Sequence, residues 1–248
     1  MAMADLEGRV ALVTGGSRGI GAGIVRRLAA QGADVAFTYQ SSQDVAEQIV
    51  KELREAGVRG LAIRADAADP DAVAESVHRT ARELGGLDIL VNNAAVINRG
   101  PFADFTVADI DRILNINVRA VILTAQAAIG HLPDGGRIIN IGSCLAERVP
   151  APSVTLYAVT KAALTGLAKG LARELGPRGI TVNNVLPGPI DTDSNPATGP
   201  AADMLRGHLA VGRFGTIAEV AATVAHLAGP EAAFITGASI AVDGGFTA

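Results

Sequence analysis

Several residue types are scarce in this 248-residue chain: one cysteine, no tryptophan, two tyrosines and three lysines. A single cysteine rules out an intramolecular disulfide framework and points to a reducing compartment. No uninterrupted apolar run reaches the ~18 residues needed to span a bilayer. The segment Met1–Arg9 carries Asp5 and Glu7 and no apolar core, so it does not read as a signal peptide. The expectation is a cytoplasmic protein that engages no membrane. Positive charge is not in excess either. The net charge is −4, which removes the global basic field of a nucleic-acid binder. The four histidines, at 78, 131, 208 and 226, lack metal-ligand spacing, and no CxxC or HExxH is present, so no metal site is expected.

Apolar residues make up 49% of the chain and charged residues 19%, enough for a sizeable core. Glycine is abundant, at 29 residues against a typical share of roughly 7%. Short apolar runs at Val10–Thr14, Asp34–Tyr39, Gly60–Asp66, Ile89–Asn93, Arg137–Gly142, Thr181–Leu186 and Ser239–Val242 read as strands covered on both faces. Helical stripes lie between them, such as Ile20, Ile24, Val25 and Leu28, or Leu164, Ala168, Leu171 and Leu175. Asp69-Pro70 reads as an N-cap with proline at the first helical position, and Ser41 to Asp44 as a capping box. Strand alternating with helix throughout predicts one doubly wound α/β domain, residues 1–248, with a parallel sheet of about seven strands and helices on both faces. The irregular stretch from Pro187 to Pro200 follows a strand end, where such sheets bind ligands. A lid at about 188–212 is the expectation.

Two motifs carry chemistry. The first strand runs into Thr14-Gly15-Gly16-Ser17-Arg18-Gly19-Ile20-Gly21 and then a helix. Glycines permit a tight turn and close approach of a pyrophosphate, which the helix N-terminus attracts. At the end of the second strand, Tyr39, Gln40, Ser41 and Ser42 stand where an acidic residue would favour NAD; no acid is present. Arg18 in the turn offers a bidentate guanidinium to a 2′-phosphate. Together these favour NADP(H).

The second motif is Ser143 followed by Tyr157-Ala158-Val159-Thr160-Lys161. With so few tyrosines and lysines, a chance Tyr-x-x-x-Lys is rare. The spacing puts both side chains on one helix face. An ammonium beside a phenol is expected to lower the phenol's pKa; moving it from ~10 towards ~7 takes roughly 4 kcal/mol. The product would be a general acid/base, with Ser143 holding a substrate carbonyl oxygen. Cys144 reads mainly as a small packed hydrophobe.

These motifs resemble those of the short-chain dehydrogenase/reductase family, and the likeness runs nearly the whole chain. Thr14–Gly21 is similar to the family's TGxxxGxG turn, and Asn92-Asn93-Ala94 to its NNAG element, with Ala95 in place of the commonest glycine. Asn117, Ser143, Tyr157 and Lys161 match the catalytic tetrad. Asp66-Ala67 matches an adenine contact, and Pro187, Gly188, Ile190 and Thr192 match the segment beside the nicotinamide. The resemblance implies hydride transfer between nicotinamide and a carbonyl carbon. Tyr157 would move the proton, Ser143 would hold the oxygen, and Lys161 would bind ribose and tune Tyr157. Asn117, in an irregular helix, would hold a relay water. It also implies cofactor contacts from Gly15, Ser17, Arg18, Gly19, Ile20, Gly21, Tyr39, Gln40, Ser41, Ser42, Asn93, Ala94, Tyr157 and Lys161. The expected function is NADP(H)-dependent reduction of a small ketone or 3-oxoacyl-like compound to a secondary alcohol by a homotetramer that binds no nucleic acid. The rival is a nucleotide-binding regulator with little turnover. The general likeness is to bacterial 3-oxoacyl-acyl-carrier-protein reductases, which dock an acidic carrier on arginines. Arg178 could serve so, but Asp134 would repel the carrier, which favours a free substrate.

Overall fold

The computed structural model describes residues 5–248. Its elements alternate as read: β1 (Val10–Val13), α1 (Gly19–Ala30), β2 (Asp34–Tyr39), α2 (Gln43–Glu55), β3 (Gly60–Arg64), α3 (Pro70–Leu84) and β4 (Ile89–Asn92). Then come α4 (Val107–Leu114), a π-helical turn (Asn115–Arg119), α5 (Ala120–Ile129), β5 (Arg137–Ile141), α6 (Thr155–Leu175) and β6 (Thr181–Pro187). The chain closes with α7 (Pro200–Arg206), α8 (Ile217–Ala228) and β7 (Ser239–Val242). All seven strands are parallel, in the order β3-β2-β1-β4-β5-β6-β7. The order reverses between β1 and β4, which opens a crevice at the carboxyl ends of the strands.

Successive residues of each strand feed opposite cores, which explains the unbroken apolar runs. Val13, Val35 and Phe37 pack with Ile24 and Leu28 of α1, Ile49 of α2 and Val224 of α8. Leu12, Ala36 and Leu90 pack on the other face with Val77 of α3, Ala125 of α5 and Ala168 of α6. Helix ends follow local chemistry. The Asp69 carboxylate accepts from the Asp71 and Ala72 backbone N–H groups, with Pro70 next in line, and Gly85 closes α3 at φ +80°. Capping boxes start α4 (Thr106, Asp109) and α8 (Thr216, Glu219). The Ser41–Asp44 box does not form. Helix α2 starts one residue later than that box requires, so Ser42 and not Ser41 is its N-cap, and Ser42 makes no side-chain cap. Thr14, Asn93, Gly142 and Asp66 fall just outside the strands, where they enter the crevice.

After β6 the chain runs irregularly from 188 to 199, tied by short bridges between Ile190 and Gly215 and between Thr192 and Asn195. Around α7 it builds a small core of its own, in which Ala202, Leu209 and Phe214 meet Cys144 and Phe246. This segment is therefore packed beside the residue that follows Ser143.

Candidate functional site

The glycine turn shows why it is glycine. Gly15 and Gly19 adopt φ +65° and +53°. A Cβ on Gly21 would lie 2.3 Å from the Gly15 carbonyl oxygen, and one on Gly16 would lie 2.5 Å from Phe37 Cβ. The turn is braced from two sides. The backbone N–H of Gly15 donates to Thr38 Oγ1 at 2.9 Å. The Asn93 side-chain amide donates to the carbonyls of Thr14 (2.8 Å) and Gly15 (3.1 Å). Asn93 thus shapes the turn with the amide that the resemblance assigned to a cofactor contact. Helix α1 starts at Arg18 with no side-chain cap and no acidic residue in its first turn. Its N-terminal N–H groups and positive dipole end are left without an anionic partner, and this fits a pyrophosphate.

At the far end of the crevice, Tyr39 is half-buried, while Gln40, Ser41, Ser42 and Asp66 are exposed. Gln40 Nε2 donates to Asp66 Oδ2 at 3.0 Å, and Asp66 Oδ1 accepts from the Ala68 N–H at 2.9 Å, so Asp66 and Ala67 sit in a fixed turn. Arg18 is exposed, with no carboxylate partner among the described residues. Sequence reasoning missed a second guanidinium here. Arg64 ends β3 in register with Tyr39 and reaches the Gln40 carbonyl at 3.3 Å. Its place at a strand end beside β2 was the available signal.

Toward the middle of the crevice stand Ser143, Tyr157, Lys161 and Asn117. Ser143 lies two residues beyond β5 and caps the short 3-10 turn Cys144–Ala146, its hydroxyl accepting from the Leu145 N–H at 3.1 Å. Tyr157 and Lys161 are one turn apart on α6, with Nζ 5.6 Å from the centre of the tyrosine ring. Lys161 is buried and donates from Nζ to the Ile141 carbonyl at 2.8 Å. The expected phenol–ammonium effect is not what the protein does alone. Burial pushes the Tyr157 phenol up to about 12, against the Ser143 hydroxyl and the Arg99 charge, which both pull it down. Burial likewise lowers the Lys161 ammonium to about 8. The cause is desolvation of both charged forms, with Nζ aimed at a backbone carbonyl.

Asn117 lies in the π-helical turn between α4 and α5 and is buried. Such turns are rare and recur at functional sites. Its Oδ1 accepts from the Val96 N–H at 2.9 Å, and its Nδ2 donates to the Val96 carbonyl at 2.8 Å and to Thr160 Oγ1 at 3.1 Å. The side chain therefore fastens the loop after β4 to α6. Beneath the site runs a buried amide ladder that the sequence did not disclose. Asn92 donates to Asn140 (2.9 Å), Asn140 to Asn184 (3.0 Å), and Asn184 to Ser239 Oγ (3.1 Å), across four adjacent strands. Pro187 ends β6, and the Gly188 N–H donates to the Val242 carbonyl at 3.0 Å. A Cβ on Gly188 would meet the Asp243 backbone at 2.6 Å. Ile190 is buried and Thr192 half-buried, both in the segment that leads from β6 to α7.

Two peripheral readings are also answered. Arg178 is occupied within the fold: it pairs with Asp134 at 3.2 Å and donates to the carbonyls of Ile129 (3.0 Å) and Leu132. Cys144 is buried, and desolvation raises its thiol to about 12, as suits a packed small hydrophobe. Among the described residues, no three His, Cys, Asp or Glu side chains gather in a metal-ligating group, and no helix is long and apolar enough to cross a membrane.

Comparison with known proteins gives concordant likenesses. Residues 15–247 match the family described as enoyl-(acyl carrier protein) reductase. A short-chain dehydrogenase from Burkholderia cenocepacia J2315, solved with NADP, is 55% identical, covers 98% of this chain and 100% of its own, and superposes with a TM-score of 0.97. A blue fluorescent protein from a metagenomic library, solved with NADPH, is 56% identical with the same coverage and TM-score. The Escherichia coli (strain K12) cyclic-di-GMP-binding biofilm dispersal mediator protein is 48% identical over 99% of this chain and 100% of its own.

Proposed function

Because the chain belongs to the short-chain dehydrogenase/reductase family, we propose that it is an NADP(H)-dependent carbonyl reductase that converts a ketone to a secondary alcohol. The observation that carries this reading is the convergence of Ser143, Tyr157 and buried Lys161 at the same crevice as an uncapped, glycine-lined helix N-terminus. The absence of an acid after β2 and the free Arg18 support NADP(H) over NAD(H), as do the cofactors of the two solved relatives.

The residues divide the work. Gly15, Ser17, Gly19, Ile20 and Gly21 cradle the pyrophosphate on α1. Arg18, Tyr39, Gln40, Ser41 and Ser42 face the 2′-phosphate end, and Asp66 and Ala67 the adenine. Ala94, Pro187, Gly188, Ile190 and Thr192 line the way to the nicotinamide. When bound, the dinucleotide supplies the hydride. Ser143 Oγ orients the carbonyl oxygen and stabilises the charge that develops on it. The Tyr157 hydroxyl donates its proton to that oxygen. In the free protein burial keeps this phenol protonated, the form needed to act as acid in the reductive direction. Lys161 binds ribose hydroxyls and opposes the phenolate charge that proton donation leaves. Asn117 holds the loop after β4 against α6 and marks the water path by which the proton is replaced.

The occupied Arg178 and the neighbouring Asp134 favour a free small ketone or 3-oxoacyl-like compound over a carrier-bound one. The segment at about 188–212 serves as the lid, within a single domain. Exposed Ala162, Ala163, Gly166 and Gly170 on α6, with Ile122 of α5 also exposed, offer a face for assembly as a homotetramer, which light scattering checks. The lone cysteine favours the reducing cytoplasm. The test is NADPH oxidation against a panel of ketones. Tyr157→Phe is expected to lower kcat at least 100-fold while NADPH still binds. A second reading, a nucleotide-binding regulator, is favoured by the name of the Escherichia coli relative. It prevails if no ketone or alcohol turns over while cyclic di-GMP binds tightly.

A further inference from the structure

The loop between β4 and α4 is held at two points. Val96 is clamped through both its backbone N–H and its carbonyl by Asn117. Four residues on, the Gly100 N–H donates to the Ser153 carbonyl at 3.1 Å. Ser153 is itself set by its backbone, a non-glycine residue at φ +73°, four positions before Tyr157. Both fastenings therefore belong to segments that carry the proposed proton machinery. Arg99 lies between them, exposed, and no acceptor for its guanidinium is present among the described residues.

Three other arginines near this end of the sheet are engaged. Arg148 donates to the Phe246 carbonyl and lies over its ring, Arg206 binds Asp203 and the Ala197 carbonyl, and Arg213 pairs with Glu219 at 2.6 Å. Arg99 instead lines an open cleft of about 410 Å³ with Asn98, Pro101, Phe105, Asp104 and Asp109. The Asp109 carboxylate is spent on the Thr106 N–H (3.1 Å) and hydroxyl (2.6 Å) at the start of α4. Those bonds favour the ionised form of Asp109, so it and Asp104, whose carboxylate has no partner among the described residues, both face Arg99 across this cleft.

We propose that Arg99 is the anion-recognition residue at the mouth of the active site, and that the ketone reduced here carries a carboxylate close to its carbonyl. This rests on the carbonyl-reductase reading and names its substrate class. A guanidinium fixed on a clamped loop loses little freedom when it forms a bidentate pair with a carboxylate. The Gly100–Ser153 bond sets Arg99 beside the segment that leads into Tyr157, and its charge favours the Tyr157 phenolate. Paired at contact with the guanidinium, the substrate carboxylate would leave the carbonyl facing Ser143 and Tyr157.

The experiment compares two acid–ester pairs, acetoacetate with methyl acetoacetate and 4-oxopentanoate with its methyl ester, as substrates of NADPH oxidation by the full chain. The readout is the ratio of kcat/KM for acid over ester. In the wild type the acid is preferred in at least one pair. Arg99→Gln lowers that ratio at least tenfold, chiefly through KM, Arg99→Lys restores part of it, and Asp104→Asn raises it severalfold. An effect exerted only through Tyr157 would lower acid and ester alike and leave the ratio unchanged; that result, or a wild type that prefers both esters, overturns the proposal and leaves the reductase reading intact. If no carbonyl compound is reduced, the reductase reading fails instead. The anion site is then judged by titrating butyrate and butyramide into the NADPH-bound protein and following NADPH fluorescence. Butyrate binding that exceeds butyramide binding and disappears in Arg99→Gln supports it, and equal binding of the two refutes it.

Discussion

Removing the buried ammonium should stabilise the protein while destroying its proposed function. Lys161 is buried, and desolvation alone lowers its pKa from 10.5 to about 8. At about 1.4 kcal/mol per pH unit, holding the charged form inside costs roughly 3 kcal/mol at pH 7. The sign follows from proton linkage. Between pH 8 and 10.5 the unfolded chain binds this proton and the folded chain does not, so stability rises with pH across that window and the full cost applies below it. Lys161→Met removes the charge and also the charge-assisted hydrogen bond to the buried Ile141 carbonyl, worth about 1.5–3 kcal/mol. The net expectation is a gain of up to about 1.5 kcal/mol for the cofactor-free protein at pH 7, or up to roughly 3–6 °C in Tm for a chain of this size. The gain should shrink as pH climbs towards 10.5. Urea unfolding of wild type and variant at pH 7 and pH 9.5 reads both. A variant less stable than wild type at pH 7, or a difference that ignores pH, would refute the buried-charge reasoning. Ketone turnover by the variant should be at least 100-fold slower.

Arg18→Ala should lower kcat/KM for NADPH at least tenfold and that for NADH less than threefold; equal effects in paired steady-state assays would remove the basis for an NADP preference. Gly21→Ala forces a Cβ to within 2.3 Å of the Gly15 carbonyl oxygen and 2.5 Å of the Asn93 amide nitrogen. A loss of about 1–3 kcal/mol in urea unfolding and weakened NADPH binding by fluorescence are expected. Asn117→Ala leaves the Val96 N–H and carbonyl without their side-chain partner, so a loss of about 1–3 kcal/mol is expected. Hydrogen exchange should speed up at 96–100, and an unchanged rate there would show that the clamp is not what orders the loop.

Local rules account for much of what was legible in the sequence. The unbroken runs at Val10–Val13 and Ile89–Asn92 announced strands covered on both faces, and Asp69-Pro70 announced the start of α3. A capping box is a local rule too, yet Ser41–Asp44 failed, because α2 begins at Gln43 with Ser42 in the cap position, one residue past the box. The amide ladder from Asn92 through Asn140 to Asn184 spans partners 44 or 48 positions apart. Each residue looks like an ordinary strand position until parallel pairing aligns them. Arg178 read as a free surface cation for the same reason, since Asp134 and the carbonyls it binds reach it only through the tertiary fold.

The acid/base pair shows most clearly where local reading stops. The spacing of Tyr157 and Lys161 fixes that they share a helix face, and charge proximity then argues for an acidic phenol. Depth in the fold decides the opposite sign. Lys161 Nζ spends its nearest hydrogen bond on Ile141, 20 positions away, and the same apolar surroundings penalise both ions. Lys161, at about 8, is still mostly protonated at pH 7, and Tyr157 nonetheless stays high because desolvation of its phenolate outweighs the charges that favour it. The free protein therefore rests with Tyr157 protonated. The Arg99 charge already acts at that value, so ionisation near neutral pH must draw on charge brought into the crevice, alone or together with Arg99. Measuring the Tyr157 titration with and without bound NADP+ separates these two sources. A large downward shift on binding that persists in Arg99→Gln assigns the effect to the ligand, and a shift that vanishes in the variant assigns it to the arginine.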